Sequence, residues 1–301
     1  VDVIHYHGIG PTLVAWIPKL FAKNIKVIIT CHSLDRYQLK WGLFAKLILW
    51  FSEKTAYLFA DKTISVAKTV QNYYLDEHKQ KTVYIPNGVR INSNKDENAN
   101  LIKNWGLEKD KYILMVARLI QDKGTHYLLE AWRYLNKQYP NLIADYKLVI
   151  TGGTDDIEYF NELKKIASDN KNVIFTDWQK DEILESLYAN SLLFVHPSER
   201  EGLPISVLQA MSYGRPILAS DIQGHKELIL DKNFLFHNTS ITSLVKKMLG
   251  LLKNKETLKN AGIINKQLVK QNYSWEEITK KTLQIYECTD QECEQVCNCT
   301  A

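Results

Sequence analysis

The regular alternation of short, apolar, β-branched runs with longer amphipathic stretches constrains this chain more than any other feature. Val1-Asp-Val-Ile4 and Val27-Ile-Ile-Thr30 are two such runs, and a helical stretch from Pro11 to about Phe21 lies between them, after the turn Gly8-Ile-Gly10. That order predicts a βαβ unit. A long amphipathic helix follows from about Leu39 to Phe59, offering Leu43, Phe44, Leu47, Ile48, Phe51, Ala56 and Leu58 for packing; the runs Lys62 to Val66 and Thr82 to Ile85 come next.

The polar segment 92–100 has no apolar period and marks a domain boundary. Beyond it the alternation restarts, with strands predicted over 112–116, 146–150, 173–175, 192–195 and 216–219 and helices over about 126–138, 156–168, 181–189 and 205–213. Runs so uniformly apolar suit parallel strands covered on both faces, so the fold class is α/β. A length of 301 residues suits two cores of ordinary size. The boundaries read as 1–92 for the first domain and 101–270 for the second. A terminal helix over 274–287 is opened by the capping-box pair Ser274 and Glu277, and a tail over 288–301 holds Cys288, Cys293, Cys297 and Cys299.

The formal net charge is +4 and the charges are scattered, which does not suit a nucleic-acid binder. The longest strongly apolar stretch, Leu47 to Ser52, is far short of the ~20 residues of a membrane-spanning helix. Cys31 stands alone and the tail cysteines are irregularly spaced, unlike a paired zinc motif, so a reducing cytoplasm is the expected location. The chain opens at Val1, without Met and inside an apolar run, from which a missing N-terminal portion is expected.

Chemistry-bearing residues gather in loops that follow predicted strands. Glu201 and Gly202 stand between a strand and a helix, at the edge where open α/β sheets bind ligands. The first-turn N–H groups and the positive end of that helix attract an anionic or hydroxyl-rich ligand. Pro204 suits an early helical position, and Gln209 lies eight residues beyond Glu201, from where both side chains are expected to face one cleft. Arg118 and Lys123 occupy a second strand-to-helix loop, ending at Gly124. Two cations at a helix entrance can stabilise negative charge that develops on a ligand, without a metal. His32 ends a buried strand in the first half, where a side chain meets the cleft, and a neutral imidazole can hold a hydroxyl or accept a proton. His5 and His7 share a strand face; without a third ligand they read as structural or cleft-lining, and no metal is expected. Arg36, Lys40, Trp41, Lys46, Trp50 and Lys54 mix cations with aromatics as a membrane-surface helix does, although core packing accounts for most of the apolar residues there.

The string Pro197-Ser-Glu-Arg-Glu-Gly-Leu-Pro-Ile-Ser-Val-Leu-Gln-Ala-Met-Ser-Tyr-Gly-Arg-Pro-Ile-Leu-Ala-Ser-Asp221 resembles the signature of family 4 of the retaining GT-B glycosyltransferases. Val116-Ala-Arg-Leu-Ile-Gln-Asp-Lys-Gly124, the histidine segments around His7 and His32, and Tyr273-Ser-Trp-Glu-Glu277 extend the likeness over nearly the whole chain. The resemblance implies two Rossmann-like domains with a cleft between them, the first of them incomplete here, and a terminal helix crossing back to the first. It implies a metal-independent hexosyl transfer with retained configuration, from a nucleotide-sugar that is a substrate rather than a cofactor. Arg118 and Lys123 would hold the donor diphosphate, and His32 and Glu201 would be the catalytic pair. Gly152, Gly202, Leu203, Pro204, Ile205 and Gln209 would surround nucleotide and sugar. The family's second glutamate is Gln209 here, so a charge-assisted bond is replaced by a neutral one of about half the strength. A glycan or lipid-linked acceptor is implied, with peripheral contact at the inner face of a membrane. The segment Lys40-Trp-Gly42 is similar to bacterial polysaccharide rhamnosyltransferases. Three other readings stay open: a same-fold sugar-nucleotide epimerase, a non-catalytic nucleotide-sugar-binding protein, and a nicotinamide dehydrogenase, the last weakened because no G-x-G-x-x-G follows the first strand.

Overall fold

The computed structural model describes residues 2–22, 24–32, 42–91 and 99–287. The expectations resting on Arg36, Lys40 and Trp41, on segment 92–98 and on Cys288, Cys293, Cys297 and Cys299 lie outside the described residues. The chain divides into two compact units, Val1–Gly88 with Trp275–Ala301, and Val89–Ser274.

The first unit is built on strands β1 (Val3–His7), β2 (Lys26–Cys31), β3 (Lys62–Ser65) and β4 (Val83–Tyr84), all parallel and in that spatial order. Helices α1 (Trp16–Phe21), α2 (Leu43–Phe59) and α3 (Lys68–His78) connect them. The segment predicted as one helix from Pro11 is a short 3-10 turn, Gly10–Val14, followed by α1.

One sequence expectation fails here. Of the seven α2 residues assigned to the core, only Ala56 is buried; Leu43 is 88% exposed and Phe44 77%, and Leu47, Ile48, Phe51 and Leu58 are exposed as well. The buried stripe is Leu49, Ser52, Glu53 and Ala56. Polar bonds fix that orientation: Thr12 Oγ1 donates to the Ser52 carbonyl at 2.7 Å, Thr55 Oγ1 donates to the Thr12 carbonyl at 2.6 Å, and Glu53 meets His78 of α3 at 3.2 Å. Turning the helix over would break all three contacts; Thr12 and Thr55 keep the Ile9 and Ser52 carbonyls as second acceptors, so the main loss is the buried pair of Glu53 with His78.

The second unit contains β5 (Tyr112–Val116), α4 (Thr125–Gln138), α5 (Pro140–Ile143), β6 (Lys147–Thr151), α6 (Ile157–Ala167), β7 (Val173–Phe175) and α7 (Asp181–Asn190). It continues with β8 (Leu193–His196), α8 (Ile205–Ser212), β9 (Ile217–Ser220), α9 (Gln223–Lys226), β10 (Leu235–Phe236), α10 (Ile241–Leu252) and α11 (Lys255–Asn272). Its parallel sheet runs β10-β9-β8-β5-β6-β7. β5 to β8 read as near-continuous apolar runs because helices cover both faces of the sheet; Ile113, Leu114, Leu148, Val149, Leu193 and Phe194 are fully buried. Chain order moves outward from β5 to β7 and then returns to β8 on the other side of β5. That reversal is a topological switch point, and the carboxyl ends of β5 and β8 flank the crevice it opens.

Helix α12 (Trp275–Glu287) returns to the first unit. Its Ile278 and Ile285 complete a core with Ile28, Ile64, Val83 and Ile85, and Lys26 Nζ donates to the Ile285 carbonyl at 2.7 Å.

Candidate functional site

The loop after β5 and the loop after β8 meet at the switch point of the second unit. The Asp122 carbonyl accepts from the Glu199 amide at 2.8 Å and from Ser198 Oγ at 3.2 Å, so the two loops are pinned together by backbone. Gly124 opens α4 with φ of 69°, and a Cβ there would stand 2.2 Å from the Pro197 carbonyl oxygen. Only glycine permits that approach. The result is a cleft of about 560 Å³ lined by Arg118, Lys123, Gly152, Glu201, Leu203, Pro204 and Ile205, seven of the residues singled out from sequence.

Lys123 Nζ donates to Glu201 Oε1 at 2.6 Å, and the two side chains are only 17% and 13% exposed. In a site this enclosed each charge compensates much of the other's desolvation. No side chain caps α8, so the amides of its first turn are available to a ligand, and Ile205 and Ser206 both line the cleft.

Gly202 is absent from the lining; its backbone packs against α9, where a Cβ on Gly224 would lie 2.3 Å from the Gly202 carbonyl oxygen. Gln209 does not line the cleft either. It sits a turn beyond Ile205 on α8, and its Oε1 accepts from the buried Tyr188 hydroxyl at 3.2 Å, which draws the amide toward α7.

His32 belongs to the first unit. Its Nε2 lies 3.2 Å from His7 Nδ1 with the rings stacked, and both residues line a smaller pocket of about 260 Å³ with Trp275 and Tyr286. His5 spends both ring nitrogens on protein oxygens, Tyr286 Oη at 2.7 Å and Thr30 Oγ1 at 2.8 Å, which fits the structural role expected of it. Burial, followed by His7 and His32, lowers its pKa to about 4.

Sequence reasoning missed Trp178, Ser206 and His196, which all line the larger cleft. His196, the last residue of β8, is fully buried and bonds through Nδ1 to His225 Nε2 at 2.8 Å. Burial holds His196 well below the ordinary histidine value and pulls His225 to about 4, so both rings are neutral near pH 7. The 3.7 Å contact between His196 Nε2 and Glu201 Oε1 is therefore no ion pair. The one sequence signal for such a pair is a histidine at the end of an apolar strand, already noted for His32.

The family model for glycosyl transferases group 1 matches residues 97–268, and that for glycosyltransferase family 4 matches residues 1–93. The chain belongs to the group 1 glycosyl transferases. An uncharacterized glycosyltransferase of Haemophilus influenzae is 34% identical over 49% of this chain and 41% of its own length. The Escherichia coli UDP-Gal:alpha-D-GlcNAc-diphosphoundecaprenol alpha-1,3-galactosyltransferase is 27% identical over 84% of this chain and 67% of its own. Of three relatives with strong matches the chain spans only 41%, 59% and 65%. Anabaena HepE, solved with UDP and glucose, superposes with a TM-score of 0.81 at 18% identity, covering 94% of this chain and 77% of that one. With sucrose-phosphate synthase from Thermosynechococcus elongatus the TM-score is 0.78 at 22% identity, covering 95% and 73%. These likenesses establish the fold as GT-B: two α/β units with parallel sheets.

Proposed function

We propose that this chain transfers a sugar from a nucleotide-sugar to an acceptor hydroxyl, with retained anomeric configuration and without a metal ion or cofactor. The observation that carries the proposal is the pairing of Lys123 with Glu201 beside Arg118 at the switch-point crevice. As the bond from sugar to diphosphate breaks, negative charge grows on the leaving phosphate oxygens. Arg118 and Lys123 line the cleft where they stabilise it. Glu201, held by Lys123 at rest, accepts from sugar hydroxyls, and the first-turn amides of α8 orient the diphosphate. The exposed indole of Trp178, beside Gly152 and Gly153, offers a platform for the base. His32 is assigned to the acceptor side, where the hydroxyl attacks from the face the diphosphate leaves.

The E. coli relative named for UDP-Gal and a diphosphoundecaprenol acceptor makes a UDP-hexose and a lipid-linked glycan the first substrates to try. A lipid-linked acceptor places the reaction at the cytoplasmic face of a membrane, reached through the apolar outer face of α2 and measured as co-sedimentation with anionic vesicles. Among the described residues no helix is long and apolar enough to cross one. The Gln209 amide, engaged by Tyr188, favours one second reading, a nucleotide-sugar-binding protein without turnover.

The deciding experiment is a thermal-shift screen against UDP-, GDP-, ADP- and dTDP-sugars, followed by NMR of the best donor with and without acceptor. A ligand at a hundredfold excess over its Kd stabilises the protein by ~2.7 kcal/mol. Acceptor-dependent transfer supports the proposal, and binding without turnover selects the second reading. No response to any nucleotide-sugar excludes both.

A further inference from the structure

A chain of hydrogen bonds runs beneath Glu201 that the transfer chemistry leaves unused. At its inner end the Ser220 hydroxyl donates to the Ser198 carbonyl at 2.5 Å, so its oxygen only accepts from His225. His225 Nδ1 faces that oxygen at 3.1 Å and the Ser220 carbonyl at 2.8 Å, and between two acceptors it must carry the proton. A neutral His225 then has a bare Nε2, which accepts from His196 Nδ1 at 2.8 Å. His196 in turn keeps a bare Nε2, 3.3 Å from Ser206 Oγ. Burial keeps both rings neutral, so the tautomers are locked from one end to the other. Ser206 is thus the donor in its contact with His196, and its remaining lone pairs face the cleft it lines.

We infer that the relay Ser220, His225, His196, Ser206 fixes the polarity of the cleft floor beside Glu201, so that Ser206 Oγ accepts a hydrogen bond from a hydroxyl of the bound sugar. The inference rests on the nucleotide-sugar reading above and deepens it. With its proton committed inward, the Ser206 hydroxyl has nothing to donate to a phosphate oxygen. The Glu201 carboxylate and the Ser206 hydroxyl side by side offer a ligand only acceptors. Such a floor selects a neutral sugar with a free hydroxyl at the carbon above it. A deoxy sugar there leaves the Ser206 acceptor unpaired. Ser206 is the ligand-touching member; His196 and His225 are positioning residues.

The test takes the nucleotide-sugar that best stabilises the wild type in the screen, its monodeoxy analogues and the free nucleoside diphosphate, titrated calorimetrically into wild type, Ser206→Ala and His225→Phe. Ser206→Ala is expected to weaken the nucleotide-sugar by about 3- to 10-fold, one hydrogen bond's worth, while free diphosphate affinity stays within about 2-fold. One monodeoxy analogue should bind wild type correspondingly weakly and lose nothing further in the variant. In 15N spectra His196 should show a bare Nε2 in wild type, and His225→Phe should populate the other tautomer and erase the deoxy discrimination. A purely structural relay would instead lower Tm and leave the deoxy discrimination intact. The inference is overturned if Ser206→Ala binds every analogue as wild type does, or if His196 Nε2 is protonated. Absence of any nucleotide-sugar binding to wild type would remove the transferase reading itself, a distinct failure.

Discussion

Arg118 and Lys123 line the same cleft but stand in different electrostatic situations. Lys123 is held by Glu201 at 2.6 Å, so replacing it strands a carboxylate that is only 13% exposed, and activity would fall together with stability. Arg118 gives the cleaner measurement. If it stabilises charge growing on the leaving diphosphate, Arg118→Ala should lower kcat/KM by ~10²-fold or more. Steady-state kinetics with the donor found in the screen checks this, and unchanged turnover would remove Arg118 from the mechanism. Both cations, and Glu201, were legible in the sequence because each stands in a loop just past an apolar run, at the edge where α/β sheets bind ligands. His196 and His225 were not legible as a pair. Their partnership spans 29 residues and exists only because β8 and α9 are brought side by side, which no local spacing reports. Gln209 shows the converse limit: the motif placed it correctly along the chain, but Tyr188, a long-range neighbour, decides where its amide goes.

At the scale of elements, α9 shapes the site without lining it. A methyl group on Gly224 would sit 2.3 Å from the Gly202 carbonyl oxygen and 2.7 Å from that of Glu201, so the helix and the Glu201 loop touch backbone to backbone. Both partners are main chain, and neither can swing aside as a flexible side chain would. Gly224→Ala should therefore cost about 1–3 kcal/mol of stability and move Glu201 off its contact with Lys123. Urea denaturation and donor titration together check it: a loss in both is expected, and wild-type donor affinity would show that the loop position does not matter. Element types were largely readable because the period of apolar residues changes between strand and helix. The orientation of α2 was not, since its hydrophobic residues outnumber its polar ones and pattern alone assigns them inward. Thr12, Thr55 and the pair of Glu53 with His78 overrule the pattern.

For the whole molecule, that inversion leaves one face of the first unit covered in large apolar side chains. α1 packs beside α2 and adds Leu20, 63% exposed, and Phe21, 79% exposed, to the outward residues Phe44, Leu47, Trp50 and Phe51. Lys46 and Lys54 lie on the same helix, the Lys54 ammonium 5.8 Å from the Trp50 ring, and the helix's Glu53 is buried against His78. Apolar bulk with cations and aromatics at its margin and no exposed acid on α2 matches the interface of an anionic bilayer, where burial of apolar side chains and attraction to headgroups add. The protein should co-sediment with phosphatidylglycerol-containing vesicles, bind neutral phosphatidylcholine vesicles more weakly, and be partly released by salt. Replacing Phe44 and Leu47 together with serine should abolish sedimentation and preserve the donor-induced thermal shift, because both side chains are exposed and neither lines the donor cleft. Failure to bind either vesicle, or a concentration-dependent dimer that the same double substitution dissolves, would assign the face to a protein contact and remove the membrane from the proposal.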